Sequence, residues 1–207
     1  MRFDGITGIT IPEGEVVEIA VGGVTVWSAA PAVEYTPIDW IVCNDDIAFN
    51  TGILCDQDSK IELTFIRGDS SARYLFGVAS TDNKASFTAY QSGNASGSWR
   101  FGGAYGRPAV PVDAENTVIM SKSGVVMNGT TYKYTGTVGT FVTPHPLAVG
   151  GCMGTNGAIG ATTCVGKLGR FRLWQGDALT LDWVPHMRAD GVQGYLDQIS
   201  GKFIAPV

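Results

Sequence analysis

Groups that could attack a bond, move a proton or grip a metal are few in this chain and widely scattered. The two histidines, His145 and His186, each adjoin a proline in a loop-like context, no candidate nucleophile neighbours either, and no Gly-x-Ser-x-Gly elbow occurs. Cysteines stand at Cys43, Cys55, Cys152 and Cys164, never as Cys-x-x-Cys, so thiolate clustering for zinc is not expected. Their expected state is buried small hydrophobes in a reducing compartment, with one or two disulfides as the alternative in an oxidising exterior. Asp45, Asp46, Asp56 and Asp58 fall in turn-like segments where carboxylates are solvated. Asp56 and Asp58 do not open a calcium loop of EF-hand type, because Ile61 and Arg67 stand where its glycine and closing glutamate belong. No catalytic residue, metal ligand or cofactor is therefore assigned from these groups.

Recognition is a better match to the residue types. Residues 86–105 interleave Tyr90, Trp99, Arg100, Phe101 and Tyr105 with Gln91, Ser92, Asn94, Ser96 and Ser98. Flat aromatic faces beside neutral hydrogen-bonding groups suit sugars, whose C–H faces stack on rings while their hydroxyls pair with amides and hydroxyls. A second stretch, with Gly151, Gly154, Gly157 and Gly160, has too few repeats for a collagen helix and no phosphate-cradle lysine, and reads as a flexible surface loop. Loops on a rigid scaffold often carry binding groups, here Thr155 and Asn156. The candidate ligand contacts are Tyr90, Trp99, Arg100, Tyr105 and Asn156; the competing expectation is that the aromatics fill a core.

The elements that must position these groups are strands. In 207 residues, 28 are glycine and only 16% are charged, a mixture typical of short strands joined by tight turns. Strand candidates recur at 40–42, 47–53, 60–66, 74–79, 86–91, 98–102, 117–121, 124–127, 131–134, 147–149, 169–174 and 179–184. Asn128-Gly129 predicts a two-residue type I′ hairpin. Around Gln175-Gly176-Asp177 a second hairpin is expected, with Phe171 and Leu173 facing inward with Leu179, Leu181 and Trp183, and with Pro185 ending it. Arg170, Arg172 and Asp182 then fall on a solvated face with weak cross-strand pairing. The core is expected to draw on Ile61, Leu63, Phe65, Leu75, Phe87, Val118, Met120, Val126, Leu147, Phe171, Leu173 and Leu181. The fold class is all-β, a two-sheet antiparallel sandwich.

Residues 1–30 read as a separate module, a β-hairpin across Gly22-Gly23. Two strands alone bury too little surface to persist in water, so Val17, Ile19, Val24, Val26 and Trp27 are expected to make oligomer or assembly contacts. Residues 31–37 read as a linker bearing Pro31 and Pro37, and residues 38–207 as the sandwich. The net charge of −5 offers no basic stripe for a phosphate backbone, so no nucleic-acid partner is expected. Neither a secretory leader nor an apolar run long enough for membrane insertion is read. The sequons at Asn94 and Asn128 then count as ordinary turn residues.

Three patterns together resemble a known family. They are the closing hairpin Gly169-Arg170-Phe171-Arg172-Leu173-Trp174 with its glycine-punctuated tail through Tyr195-Leu196-Asp197, the Asn128-Gly129 hairpin, and Phe49-Asn50-Thr51-Gly52-Ile53 ahead of Lys60-Ile61-Glu62-Leu63. They are similar to the concanavalin A-like, laminin-G-like sandwiches of bacteriophage tail or virion proteins and bacterial surface proteins. The family usually has aspartate where Asn50 stands, and a shorter loop before its last hairpin. The resemblance implies a jelly-roll sandwich on a virion surface, made in a bacterial host cytoplasm. It also implies a homo-oligomer among other virion proteins that attaches to a cell-surface glycan without catalysis. Two alternatives stay open: a purely structural or decorating virion protein, and a glycoside hydrolase of the same fold. Hydrolases of this fold carry Glu-x-Asp-x-x-Glu on one strand, which this chain lacks. A calcium ion of the kind some laminin-G-like domains hold is the alternative to no cofactor.

Overall fold

The computed structural model describes residues 18–21, 24–28, 33–44, 47–69, 71–91, 98–160 and 163–207. The chain divides into two units, Met1–Glu34 and Tyr35–Val207. In the first, β1 (Glu18–Val21) pairs antiparallel with β2 (Val24–Ser28), Ile19 opposite Trp27 and Val21 opposite Val24. The register shifts between Ile19 and Ala20, leaving Val26 as the extra residue on β2. Val17, expected among the assembly contacts, lies outside the described residues.

The second unit contains, in chain order, β3 (Tyr35–Pro37), β4 (Ile41–Asn44), β5 (Phe49–Asn50), β6 (Ser59–Arg67), β7 (Arg73–Val78), β8 (Phe87–Gln91), β9 (Ser98–Phe101) and β10 (Ala104–Gly106). There follow β11 (Glu115–Ser121), β12 (Gly124–Met127), β13 (Thr130–Tyr132), β14 (Ala148–Val149), β15 (Val165–Gln175), β16 (Ala178–Arg188), β17 (Gln193–Asp197) and β18 (Phe203–Ile204). Among the described residues there is no helix, and so none that could cross a membrane. A six-stranded sheet runs β10-β9-β8-β7-β14-β5. A ten-stranded sheet runs β13-β12-β11-β6-β15-β16-β17-β18, with β3 on β16 and β4 on β15. The two antiparallel sheets pack face to face as the all-β sandwich that the period-two patterning predicts.

The alternation of β6 shows why. Ile61, Leu63 and Phe65 are buried while Lys60, Glu62, Thr64 and Ile66 are only partly so, because successive side chains leave opposite faces of the pleat. Across the sandwich Phe49 of the six-stranded sheet meets Tyr195 of the ten-stranded sheet edge-on at 4.8 Å. The Tyr195 hydroxyl, buried with its ring, donates to the Gly169 carbonyl at 3.0 Å, so that this aromatic brings no unsatisfied donor into the core. The Asn128-Gly129 turn has the positive φ angles its sequence promises, 50° and 80°. The Asn128 side chain also accepts from the Thr117 amide and donates to Asn116.

Several expectations need correction. Val126 is only partly buried while Val125 and Met127 are in the core, so the inward face of β12 is the other one. A bulge between Leu173 and Trp174 sets Leu179 opposite Trp174, which leaves Leu179 39% exposed instead of facing inward with Leu181. Pro185 does not end β16. It sits beside the end of β3, accepts from the Ile38 amide at 3.2 Å, and the strand continues to Arg188. Tyr35–Pro37, within the segment expected as a linker, form β3 on β16. Of the strand expected over 47–53 only Phe49–Asn50 pairs.

All four cysteines are buried free thiols. Desolvation pushes the Cys55 and Cys152 thiols up to about 12. The Cys43 thiol is raised by its hydrogen bond with Cys164 and by burial.

Candidate functional site

On β8, Thr88 and Tyr90 leave the face opposite to Phe87, Ala89 and Gln91; on β9, Ser98 and Arg100 leave the face opposite to Trp99 and Phe101. Register then builds two rows across the outer surface of the six-stranded sheet. Tyr74, Tyr90 and Ser98 form one row, and Gly77, Thr88, Arg100 and Tyr105 form the other. The Tyr74 and Tyr90 rings meet at 4.7 Å, inclined at 47°. Burial raises the Tyr74 hydroxyl above its ordinary pKa, and the positive charge of Arg100 opposes that rise. The Tyr74 hydroxyl thus stays protonated, able to donate and accept.

Tyr74, Tyr90, Ser86, Thr88, Ser98, Arg100, Ala79 and Asn83 line a recess of about 260 Å³. Its rim is a well-tied turn: Ser80 accepts from the Ala85 amide, Asp82 accepts from the Lys84 amide and the Ser80 hydroxyl, and Asn83 takes φ of 60°. Gly77 leaves the sheet floor low, and a Cβ there would stand 3.0 Å from the Cys152 sulfur and 3.1 Å from Thr88. Past Arg100, Tyr105 opens a second recess of about 500 Å³ with Gly106, Arg107, Thr131, Tyr132, Lys133 and Thr135. Here Tyr105 and Thr135 exchange backbone hydrogen bonds of 3.0 and 2.7 Å, which ties the edge of one sheet to the strand-exit of the other. The Arg107 guanidinium lies 5.7 Å from the centre of the Tyr105 ring.

Of the expected ligand contacts, Tyr90, Arg100 and Tyr105 share this outer surface, Tyr90 and Arg100 in the first recess and Tyr105 in the second. Trp99 does not: it is 0% exposed on the core face, edge-on to Phe76 at 6.0 Å. Trp99 and Arg100 are consecutive on one strand, so they cannot line the same face. Asn156 is exposed but lines neither recess, and its side chain accepts from the Ala158 amide. The glycine-rich loop is tied rather than loose, with Gly154 and Gly160 amides donating to Ala158 and Cys152 carbonyls, and with the His145 ring so near Gly157 that a Cβ there would stand 3.2 Å from it. Tyr74, Arg107 and Lys133 were missed by reading the sequence. The alternation around Tyr74 is broken by a bulge between Tyr74 and Phe76, and Lys133 reaches the site from a strand pair distant in sequence.

The opposite surface of the sandwich carries a different arrangement. Arg170 donates twice to Asp182, at 2.7 and 2.6 Å, and Arg172 lies between Asp182 at 3.5 Å and Glu62 at 3.4 Å. Asp182 is only 8% exposed, so the weak solvated pairing expected from sequence is here a bidentate, half-shielded network. The hydrogen-bonded Arg170 guanidinium holds the Asp182 carboxyl below the usual carboxylate range. A depressed folded pKa stabilises the fold fully above the unfolded value near ~3.9, and that stabilisation is lost as pH falls through the folded value. The stability gap between wild type and Asp182→Asn, from urea unfolding, is therefore expected to narrow between pH 7 and pH 2. A gap unchanged over that range would show that Asp182 acts by packing alone.

Neither recess has a carboxylate among its described lining residues. Among the described residues no group of three or more His, Cys, Asp or Glu side chains could hold a metal ion. Asn50, where the family resembled usually has aspartate, accepts from the Gly52 amide at 2.9 Å and so shapes a turn. Compared with known proteins, the chain matches no family model and no curated protein.

Proposed function

We propose that this protein is a non-catalytic glycan-binding module, with the outer surface of its six-stranded sheet as the binding face. The observation that carries this reading is the Tyr74–Tyr90 pair set in a recess whose other walls are hydroxyls, an amide and a guanidinium. Half-buried rings offer apolar faces to sugar C–H groups, while Thr88, Ser98 and Asn83 supply neutral donors and acceptors for hydroxyls. Recognition without bond cleavage is the reading such a lining supports, since glycoside hydrolysis asks for two facing carboxylates and none is among the described lining residues. The setting we propose, a host-attachment protein on a bacteriophage virion, is supported by the laminin-G-like patterns of the sequence. The N-terminal hairpin would then supply contacts to sister chains and other virion proteins.

The test is binding of the full chain to a glycan array and to bacterial cells. Tyr74→Ala with Tyr90→Ala is expected to weaken binding at least tenfold while the melting midpoint shifts little, because both rings lie on the outer face. Unchanged binding in that double variant, or no glycan bound by the wild type, would remove the reading. The second outcome would favour the purely structural virion protein, a role to which the buried Trp99 is equally suited.

A further inference from the structure

Four cations on the ten-stranded sheet and its margins are paired with acids: Arg170 with Asp182, Arg172 with Glu62, Arg188 with Asp190 at 2.7 Å, and Lys122 with Asp58 at 2.8 Å. Lys60 there lies over the Trp174 ring at 3.9 Å, and Lys167 has no ion pair among the described residues. On the binding face no cation lining the two recesses is paired with an acid. Arg100, in the middle of the face and partly buried, has no hydrogen bond or ion pair among the described residues. Arg107 has only the ring of Tyr105, and Lys133 beside it has no partner among the described residues. The acid of the adjoining turn, Asp82, is taken up by the Ser80 hydroxyl and the Lys84 amide. In a chain with 19 acidic and 14 basic residues, a face with three such cations and no carboxylate among its described lining is a local reversal of the overall sign.

We infer that the glycan bound on this face is acidic, a saccharide carrying carboxylates, with Arg100 as the principal contact and Arg107 with Lys133 receiving a second acidic unit. The inference rests on the glycan-binding reading above and gives it a ligand class. A neutral sugar needs no guanidinium, and a partly desolvated one without a partner is a standing cost that a ligand carboxylate relieves. Arginine's planar fork matches a carboxylate with two parallel hydrogen bonds, which adds orientation to attraction. Arg100 and Tyr105 stand directly opposite each other on β9 and β10, so the two recesses adjoin across them. An extended saccharide lying over Tyr74 and Tyr90 would pass Arg100 and continue to Tyr105, Arg107 and Lys133. The charges are too few and too local for a nucleic-acid backbone, which binds through many phosphate contacts along a basic track.

Calorimetric titration of the full chain with a galacturonic acid oligomer and with the methyl ester of the same oligomer tests this directly. The two probes share rings and hydroxyls and differ in charge. The free acid is expected to bind at least tenfold more tightly than the ester. In Arg100→Ala, with an unchanged melting midpoint, that preference should fall to about twofold or less, and Arg100→Lys should restore part of it. Equal binding of acid and ester, or binding of the ester alone, would overturn the acidic preference and leave the glycan reading intact. If neither is bound while neutral sugars on an array are, the acidic preference fails alone; if no sugar is bound anywhere, both fall. A single-stranded DNA of matched charge that binds as tightly as the free acid would also overturn it, by showing a general polyanion site.

Discussion

Replacing Trp99 by alanine is expected to lower the unfolding free energy by about 3–5 kcal/mol, the range for emptying a buried aromatic site. Trp99 is fully enclosed, opposite Ala89 and Gly106 in the ladder and edge-on to Phe76 at 6.0 Å. Its indole nitrogen has no hydrogen-bond partner among the described residues, so packing is its main contribution, and Trp99→Phe should keep most of the stability. Small neighbours such as Ala89 and Gly106 cannot move far enough to refill the space. Urea unfolding with an unchanged denaturant slope is the measurement. A loss under about 1 kcal/mol would show the ring to be dispensable to the core, against the burial seen here. The contrast with Arg100, one residue on, is the practical content: Trp99 variants should lose stability and Arg100 variants should lose ligand.

The second large effect is expected at Gly166, where β15 lies between β4 and the end of β6. Its φ is +128°, and a Cβ would stand 2.1 Å from the Ile66 carbonyl oxygen and 2.6 Å from the Gly68 nitrogen. Both obstacles are backbone, held in place by the Gly68 amide donating to Val165 at 3.0 Å. Gly166→Ala therefore adds a clash that no rotamer relieves to a backbone conformation that L-residues rarely adopt, for about 3–5 kcal/mol in all. Gly176→Ala is the control: its φ is +60° and nothing lies within 4 Å, so only conformational strain of about 1–2 kcal/mol applies. Thermal unfolding of the two variants separates the terms. Equal losses would mean that β6 shifts to relieve the contact and that φ alone decides.

The sandwich and much of its core were legible because they depend on local pattern. Ile61, Leu63 and Phe65 alternate with partly exposed neighbours, as do Val118 and Met120 on β11, and no helical period competes. The Asn128-Gly129 hairpin was legible for the same reason, since its φ angles are a property of two residues. Legibility fails at bulges. One residue inserted near Trp174 sends Leu179 outward, and one near Tyr74 hides an outer-face tyrosine inside a run of apolar residues. It fails too at short pairings: β3, β10, β17 and β18 carry little sequence signal and exist because a longer strand is already there to receive them.

What the sequence by itself determined is the class of the molecule: many short strands, tight turns, and reactive groups too dispersed to form a recognised catalytic motif. It also determined that Trp99 and Arg100 face opposite ways, because the pleat alternates at every residue. Which of them faces the core was decided only when β8, β9 and β10 took their register and the second sheet packed on one side of them. Burial is a property of two surfaces meeting, so no single strand carries it. The bringing together of Tyr74, Arg100, Tyr105 and Lys133 is likewise tertiary, since these residues come from β7, β9, β10 and the exit of β13 and share a face through ladder pairing and the Tyr105–Thr135 bridge.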